Sequence, residues 1–454
     1  MNVPRRDRRT STQSSLLFLL VSALIAVCVC EQSHAEDEAA DERNTWPSFV
    51  QLDAAPAVKD SAFAALQLFV GSMDGRTPDL PSVLIGEEGG GEQRTVVSLI
   101  DSSGARVQSL SFDTPGDLYY SSRAPLLVRR SPQGEAGEEC WRYAAYDLNG
   151  RKKWELAAEH GSGALSSTGY FAHISCYSVV RIDGRPTWPF GCSKIVSPSG
   201  AVVGLSGIGT TTSAVWSPQG DALYIISSSP WPTTSDTLCA YRPDGGRLWV
   251  RPGVGTVTRV RSEACGPLAA GRNCLACIGL EYAEPSVDLT REELMELHSR
   301  RFLRVFDASG ELRWQDGDVC EAGPVSCAVS EDGSVVASTW QDEQVKRVIV
   351  RVYDCMTGDP LGQAAFPPWV PERGRFLATA IVLSPDGRLV CVSVKCSGGD
   401  EAGAVGVLTR TGELIAVTDE LESPTCYWLD ERTLVLQEGM NSYVTSFRAE
   451  QQEE

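Results

Sequence analysis

The segment Tyr146-Asp-Leu-Asn-Gly-Arg-Lys-Lys-Trp154 decides the fold of this chain, and Phe306-Asp-Ala-Ser-Gly-Glu-Leu-Arg-Trp314 is a close copy of it. In each copy an Asp-x-x-Gly turn follows an apolar stretch, and a Trp stands four residues after the Gly. The Asp can accept hydrogen bonds from the turn backbone, and the Gly adopts the positive φ that side chains resist. The pattern therefore predicts a tight β-hairpin, and its repetition predicts a repeat protein.

Related hairpin glycines recur along most of the 454-residue chain at intervals of 45 to 65 residues. They are Gly104, Gly150, Gly200, Gly245, Gly310, Gly358 and Gly412. A second turn signal, of the type Ser-Pro-Asp-Gly, ends at Gly220, Gly333 and Gly387, each time 25 residues before a hairpin glycine. Two tight turns in a period of this length predict four antiparallel strands, which make one blade of a β-propeller.

We therefore predict an all-β fold over residues 46–448, a single β-propeller of four-stranded antiparallel blades. Eight blades are expected, with seven as the runner-up count. The best-formed blade is predicted to have its strands at 378–383, 388–394, 404–408 and 413–418. Three strands near the C-terminus lack a fourth, and we expect Trp46–Leu52 to supply it and close the last blade. Closure removes exposed strand edges, which would otherwise promote aggregation.

The first 35 residues predict a signal peptide for export. A basic start at Arg5–Arg9 precedes the apolar run Leu16–Cys30, and Ser33-His-Ala35 places small residues where a signal peptidase cleaves. The apolar run is shorter than the about 20 residues of a membrane-spanning helix, so a retained anchor is the alternative. A lipid on Cys28 or Cys30 is a third possibility. We expect a periplasmic or secreted protein cleaved after Ala35.

The charge of the chain limits its partners. The formal net charge is −19, and loss of the basic export segment makes the remainder more acidic. Nucleic acid and anionic membrane surfaces attract basic proteins, so neither is an expected partner. Acidic residues dominate 36–45 and 449–454, which predicts a disordered linker and tail around a monomeric domain.

Thirteen of the fifteen cysteines follow Ala35. In an oxidising compartment some of them should form disulfides, and an odd number leaves at least one thiol free. Local pairs are plausible, namely Cys176 with Cys192, Cys265 with Cys274 and Cys320 with Cys327. The motif Cys274-x-x-Cys277 has the spacing of a redox or metal site, but it stands alone, so structural or free thiols are the favoured interpretation.

The hairpins at Asp147–Trp154 and Asp307–Trp314 resemble the tryptophan-docking repeats of the quinoprotein-like (PQQ-like) and WD40-like β-propellers. The resemblance extends over 46–447. This sequence departs from the pattern at Arg242, which replaces the Asp before Trp249, and at Gln108, Gly362 and Ala416, where Trp is expected. The enzymes of the quinoprotein type oxidise alcohols or sugars with pyrroloquinoline quinone and calcium. No vicinal Cys pair and no Asp-x-Asp-x-Asp-Gly loop occurs here, so we expect no cofactor.

The repeat residues themselves are interpreted as structural. Asp147, Asp307 and Asp354 should support turns, and the large apolar rings of Trp154, Trp249 and Trp314 should pack between blades. The glycines Gly150, Gly310, Gly358 and Gly412 belong to the same set. After Ala35 only His160, His173 and His298 remain, which disfavours a Ser-His-Asp triad or a His-rich metal site.

The longest interval in the repeat, between Gly245 and Gly310, contains the strongest departure from it. Leu289-Thr-Arg-Glu-Glu-Leu294 reads as a capping box with a hydrophobic staple, which predicts a helix from Arg291 to about Arg300. We expect this insertion, at about 288–300, between the second and third strands of its blade. Its candidate partner-binding residues are Arg291, Glu292, Met295, His298 and Arg300. A helix that only caps a blade edge is the other interpretation.

The sequence therefore predicts an exported, non-catalytic β-propeller that binds a protein or carbohydrate partner through its loop faces. The alternative is a quinoprotein-type oxidoreductase or another propeller enzyme. No constellation of residues in the sequence identifies a reaction.

Overall fold

The structure is a computed structural model, and it describes the strands and most of their turns. The described residues are 50–51, 68–69, 82–88, 94–100, 106–112, 117–121, 126–133, 140–159, 161–175, 180–182, 185–187, 193–205, 210–228, 236–254, 268–281, 300–317, 323–341, 346–371, 374–397, 403–419, 421, 425–428, 431–438 and 441–447. The predicted signal peptide, linker and tail lie outside them. The compact unit considered below is Trp46–Glu454.

The described residues form 34 strands and no helix, so the prediction of an all-β fold is confirmed. The strands make eight four-stranded antiparallel sheets and one two-stranded hairpin. Sheets 1 to 4 contain β2 (Leu68–Phe69), β3 (Ser82–Glu88), β4 (Arg94–Ile100) and β5 (Arg106–Phe112); β6 (Asp117–Ser121), β7 (Leu126–Gln133), β8 (Cys140–Asp147) and β9 (Lys152–Glu159); β10 (Gly161–Leu165), β11 (Phe171–Ser175), β14 (Lys194–Val196) and β15 (Val202–Gly204); and β16 (Thr210–Trp216), β17 (Leu223–Ser228), β18 (Thr237–Tyr241) and β19 (Arg247–Pro252).

Sheets 5 to 8 follow the same order along the chain. They contain β20 (Leu268–Ala270), β21 (Cys274–Glu281), β22 (Arg300–Asp307) and β23 (Leu312–Asp316); β24 (Gly323–Val329), β25 (Val335–Gln341), β26 (Val348–Asp354) and β27 (Pro360–Phe366); β28 (Arg375–Leu383), β29 (Leu389–Ser397), β30 (Ala404–Thr409) and β31 (Leu414–Thr418); and β32 (Thr425–Trp428), β33 (Thr433–Glu438), β34 (Asn441–Ser446) and β1 (Val50–Gln51). The two-stranded hairpin is β12 (Val180–Ile182) with β13 (Arg185–Thr187), between the second and third strands of sheet 3.

The N-terminal strand completes the last sheet, as predicted. Val50 pairs with Val444 and Gln51 with Tyr443, so β1 lies beside β34 as the fourth strand of sheet 8. The strand is shorter than the predicted segment Trp46–Leu52. Eight sheets correspond to the first of the two predicted blade counts, and the contact that would close the ring between sheets 8 and 1 stays a prediction.

Successive sheets contact one another through their first strands, and an apolar cluster fills each described interface from sheets 2 and 3 onward. Strand β29 shows how one strand contributes to the clusters on both sides of its sheet. Val390 and Val392 lie in the cluster between sheets 6 and 7, while Cys391 lies in the cluster between sheets 7 and 8. Because both faces of a blade are covered by its neighbours, all three side chains are fully buried. Alternate side chains of β29 therefore face two different apolar interfaces, and neither face of this strand is turned to solvent.

Both turn series lie at one end of the sheets, since the strands are antiparallel and each turn joins neighbours. In the turn between first and second strands, the Gly387 N–H donates to Ser384 O at 2.9 Å. In the hairpin between third and fourth strands, the Gly310 N–H donates to Asp307 O at 2.9 Å, with Gly310 at a φ of 81°. The end of each second strand and the start of each third strand, such as Glu281 and Arg300 in sheet 5, lie at the opposite end.

The helix predicted from Arg291 to about Arg300 lies outside the described residues except for its last residue, where the prediction is wrong. Arg300 starts β22 and pairs with Glu281 of β21. The pairing of the antiparallel ladder continues up to this residue and determines its conformation. No helix in the described part of the chain has the length and apolar character needed to cross a membrane.

Two of the suggested disulfides, Cys265 with Cys274 and Cys320 with Cys327, each include a cysteine outside the described residues, so they stay predictions. The side chains of Cys274 and Cys327 are buried between sheets 5 and 6, and the Cys327 Sγ lies 3.9 Å from Ala276 O across that interface. Their strands point the two thiols into the packed core. The third suggestion, Cys176 with Cys192, lies outside the described residues.

Candidate functional site

The tryptophan that ends one hairpin packs on the hairpin glycine of the next sheet. Trp314 stands on β23, the outer strand of sheet 5, and an added Cβ on Gly358 of sheet 6 would lie 2.7 Å from its Cγ. The Trp314 Nε1–H donates to Cys355 O at 3.0 Å in the same turn. The glycine is thus required by the indole above it as well as by its own φ of 78°.

The same contact recurs around the propeller. An added Cβ on Gly200 would lie 2.8 Å from Trp154, and one on Gly310 would lie 2.7 Å from Trp249. The Trp249 Nε1–H donates to Ala308 O at 2.8 Å. The sequence shows Trp and Gly within one hairpin, whereas the structure pairs each of these three Trp residues with a glycine 44 to 61 residues further along the chain. The regular spacing of the glycines was the only signal for this pairing.

The hairpin aspartates bind their own turns. Asp147 Oδ1 accepts from the N–H groups of Asn149 and Arg151 at 3.0 and 2.9 Å. The hydrogen bond from Lys153 and these backbone bonds lower the pKa of Asp147. Backbone hydrogen bonds, from Thr357 first, lower the pKa of Asp354.

Asp307 and Gly412 complete the repeat set. Burial raises the pKa of Asp307, but the bonds from the Ser309 hydroxyl, at 2.6 Å, and from nearby backbone N–H groups outweigh it and leave the pKa lowered. An added Cβ on Gly412 would meet the backbone of Gln363 at 2.8 Å. At the hairpin position where other sheets carry the docking tryptophan, sheet 6 has Gly362. At Gly150 the neighbour is the side chain of Leu110, at 3.2 Å.

A groove of about 500 Å³ opens beside Trp314 on the outer edge of sheets 5 and 6. Strand β23 contributes Trp314, Gln315 and Asp316, and β26 contributes Arg351 and Tyr353. The hairpin and β27 contribute Thr357, Gly358, Pro360, Gly362 and Gln363. We refer to this set of residues as the rim groove.

A hydrogen-bonded network holds the polar side chains of the rim groove. Asp316 Oδ2 accepts from the Tyr353 hydroxyl at 2.5 Å and from Arg351 Nη1 at 3.4 Å. Arg351 also donates its Nε–H to Gln363 Oε1 at 3.2 Å, and its guanidinium carbon lies 4.1 Å from the centre of the Trp340 ring. The arginine is therefore oriented by sheet 5 on one side and by its own sheet on the other.

Two aromatic rings form the apolar part of the rim groove. The ring centroids of Trp314 and Tyr353 lie 5.3 Å apart with their planes at 38°. Burial of Tyr353, and then its hydrogen bond to Asp316, raise the pKa of the phenol. Tyr353 therefore remains a hydrogen-bond donor at any physiological pH.

Gly362 stands at the tryptophan position of its repeat and shapes the adjoining part of the rim groove. An added Cβ there would lie 2.1 Å from the carbonyl carbon of Thr411 in sheet 7. Sheets 6 and 7 thus approach through backbone at this point. The absent side chain leaves the backbone of Gly362 as part of the groove wall.

Of the predicted partner-binding residues, the structure describes Arg300, which does not line the rim groove. Arg291, Glu292, Met295 and His298 lie outside the described residues, and Arg300 begins β22 at the end of sheet 5 opposite the hairpin turns. His173 is buried with its ring 5.1 Å from that of Tyr143. Within the described residues, no three His, Cys, Asp or Glu side chains lie close enough to hold a metal ion.

The chemistry of the rim groove is that of recognition by hydrogen bonds. Its carboxylate and guanidinium neutralise each other, while Gln315, Gln363 and Thr357 add uncharged donors and acceptors. The aromatic pair adds apolar surface. Such a set suits a neutral ligand rich in hydroxyl groups.

Comparisons with known proteins give matches among solved structures only. No protein-family model matches the chain, and no curated protein matches it in sequence. It is similar to BamB from Moraxella catarrhalis, with 12% identity over 85% of this chain and 100% of that chain and a TM-score of 0.44. It is also similar to the Dos1 propeller, with 11% identity over 84% and 95% and a TM-score of 0.47. The β-propeller domain of the Trilobed protease from Pyrococcus furiosus is 10% identical over 78% and 98%, with a TM-score of 0.43. All three are β-propellers, and likeness at this level concerns the fold alone.

Proposed function

We propose that this chain is an exported, non-catalytic binding module whose rim groove holds a carbohydrate. The observation that carries the proposal is the network of Asp316, Arg351 and Gln363 beside the rings of Trp314 and Tyr353. A protein partner is the other ligand class that a propeller rim could hold.

A sugar presents hydroxyl groups around its edge and C–H groups on its faces. The hydroxyls need fixed donors and acceptors, which Asp316 and Arg351 provide because each is already held by other protein groups. The C–H face needs an apolar surface, which Trp314 and Tyr353 provide. The volume of about 500 Å³ lies within the usual range for small-molecule sites.

Export rests on the predicted signal peptide of residues 1–35. An acidic, soluble, monomeric protein released into the periplasm or medium would meet polysaccharide and glycoprotein there. The negative charge of the chain keeps such a protein dispersed and does not attract nucleic acid.

A glycan array followed by calorimetry tests the proposal. The full chain is expressed with its export segment, and the processed protein is purified. We expect Asp316→Asn to weaken binding of the best array ligand at least tenfold, since it breaks the charge-assisted bond to Arg351. Asp359→Asn is the matched control, because it makes the same change at an exposed residue outside the groove.

Two results would overturn the carbohydrate proposal. One is an array with no bound glycan, and the other is equal affinity for the two aspartate variants. A crosslinking pull-down with and without residues 283–300 tests the protein-partner interpretation separately. Thermal stabilisation by calcium with pyrroloquinoline quinone would favour the quinoprotein alternative, because a ligand of the native state raises its melting temperature.

A further inference from the structure

Two buried thiols from neighbouring sheets meet at the turn end of the interface between sheets 5 and 6. Cys274 is the first residue of β21, and Cys355 follows β26 in the hairpin that Trp314 covers. Their exposed fractions are 1% and 0%, and both belong to the apolar cluster of this interface. The Cys274 thiol is hydrogen-bonded to the Cys355 thiol.

The backbone of sheet 6 fixes the positions of both cysteines. The Cys274 Sγ lies 3.7 Å from Gly333 O, to which its thiol donates. The N–H of Cys355 donates to the carbonyl oxygen of Ser334, the residue that follows Gly333, at 2.9 Å. Two consecutive residues of one turn therefore hold the two cysteines side by side.

The motif Cys274-x-x-Cys277 has the spacing of a thiol pair, but its two cysteines pack in different interfaces. The two side chains lie on opposite faces of β21, since an odd separation on a strand reverses the face. Cys277 packs in the cluster between sheets 4 and 5, and burial raises its pKa to about 12. Cys274 therefore has Cys355, from the next sheet, as its thiol neighbour.

The surroundings distinguish the two thiols chemically. The hydrogen bond from Cys355 lowers the pKa of Cys274, burial acts in the opposite direction, and the nearby charge of Arg313 adds to the lowering. The bond to Cys274 and burial raise the pKa of Cys355.

We propose that Cys274 and Cys355 form a disulfide between sheets 5 and 6 when the chain folds in the presence of an oxidising disulfide such as oxidised glutathione. This proposal and the proposed function depend on one common assumption, the export of the chain. The bond would tie together the two sheets that form the rim groove.

The exchange balances as follows. The thiolate of one of the two cysteines attacks one sulfur of glutathione disulfide, and one glutathione thiolate leaves and takes up a proton. The thiol of the other cysteine then loses its proton and attacks the sulfur of the first, which releases the second glutathione as a thiol. Two protein thiols are oxidised and one external disulfide is reduced. Because both protein sulfurs are buried in the folded propeller, the exchange occurs before sheets 5 and 6 have packed.

Peptide mapping of protein refolded in a glutathione redox buffer tests the proposal. After alkylation and digestion without reductant, we expect a linked pair of peptides that contain Cys274 and Cys355, two hydrogens lighter than their sum. The variant Cys355→Ser should lose this species, and the matched variant Cys277→Ser should keep it. Recovery of Cys274 and Cys355 as alkylated thiols from folded wild-type protein would overturn the proposal without any variant.

The same mapping on protein expressed with its export segment separates the two proposals. A linked pair in both samples supports the disulfide and the export step together. A linked pair after refolding but alkylated thiols in the expressed protein supports the disulfide and refutes an oxidising destination. Neither result depends on whether the rim groove binds a glycan.

Discussion

Gly358→Ala provides the sharpest test of how the sheets are held together. Gly358 has a φ of 78°, and an added Cβ would lie 2.7 Å from Cγ and 2.8 Å from Cδ2 of Trp314. The left-handed backbone costs a non-glycine residue about 1–2 kcal/mol. Displacing a packed indole adds about 1–3 kcal/mol, as other overpacked cores show. We expect the free energy of unfolding to fall by about 3 kcal/mol.

The assay is urea unfolding followed by circular dichroism, with Gly204→Ala as the matched control. An added Cβ on Gly204, at the end of β15, meets no atom within 4 Å, so its substitution should change stability by no more than about 0.5 kcal/mol. The decisive measurement repeats Gly358→Ala in a Trp314→Ala background. There the clash is gone and only the backbone cost of about 1–2 kcal/mol should remain. An equal cost in both backgrounds would refute the docking of Trp314 on Gly358.

Three further predictions follow from the same geometry. Gly362→Ala should destabilise the protein by about 2 kcal/mol or more in the same urea assay, because its Cβ would meet the fixed backbone of Thr411 at 2.1 Å; a neutral result would contradict the close approach of sheets 6 and 7. The lowered pKa values of Asp147 and Asp354 make their stabilisation complete above the unfolded pKa of about 4 and lost as the pH falls through the lower folded values, so the melting temperature should drop as the pH is lowered below about 4. Asp354→Asn should reduce that drop, and an unchanged profile would exclude the carboxylate as its source. In a spectrophotometric titration, Tyr353, Tyr224 and Tyr241 should remain protonated at pH 11 while the protein is folded, and Tyr353→Phe should remove one tyrosine from the late-titrating group.

The sequence predicted those features that depend on neighbours in the chain. The turn at Asp307–Gly310 could be predicted because its hydrogen bonds run within four residues. The fourth strand of the last sheet could be predicted because three strands were left without a partner, although it is only Val50–Gln51.

Features that depend on the packing of one sheet against the next could not be predicted. The partner of Trp314 is a glycine in another sheet, so its identity follows from how the sheets stack. The rim groove combines residues from β23, β26 and β27. None of these three strands contains a sequence motif for a binding site. For Cys274, the spacing to Cys277 suggested a pair that the two faces of β21 keep apart, while its neighbour Cys355 is 81 positions away.

The pairing of β1 with β34 has a consequence for the order in which the protein can be assembled. Val50 is synthesised long before its partner, Val444, which lies 394 residues further along the chain (444 − 50). Until Val444 has been made, β1 has no ladder to join, and the outer edge of sheet 8 stays open. Contacts this distant in sequence form slowly, because a large loop must close first. A ribosome that stops before residue 441 therefore leaves sheet 8 with neither β34 nor β1 in place.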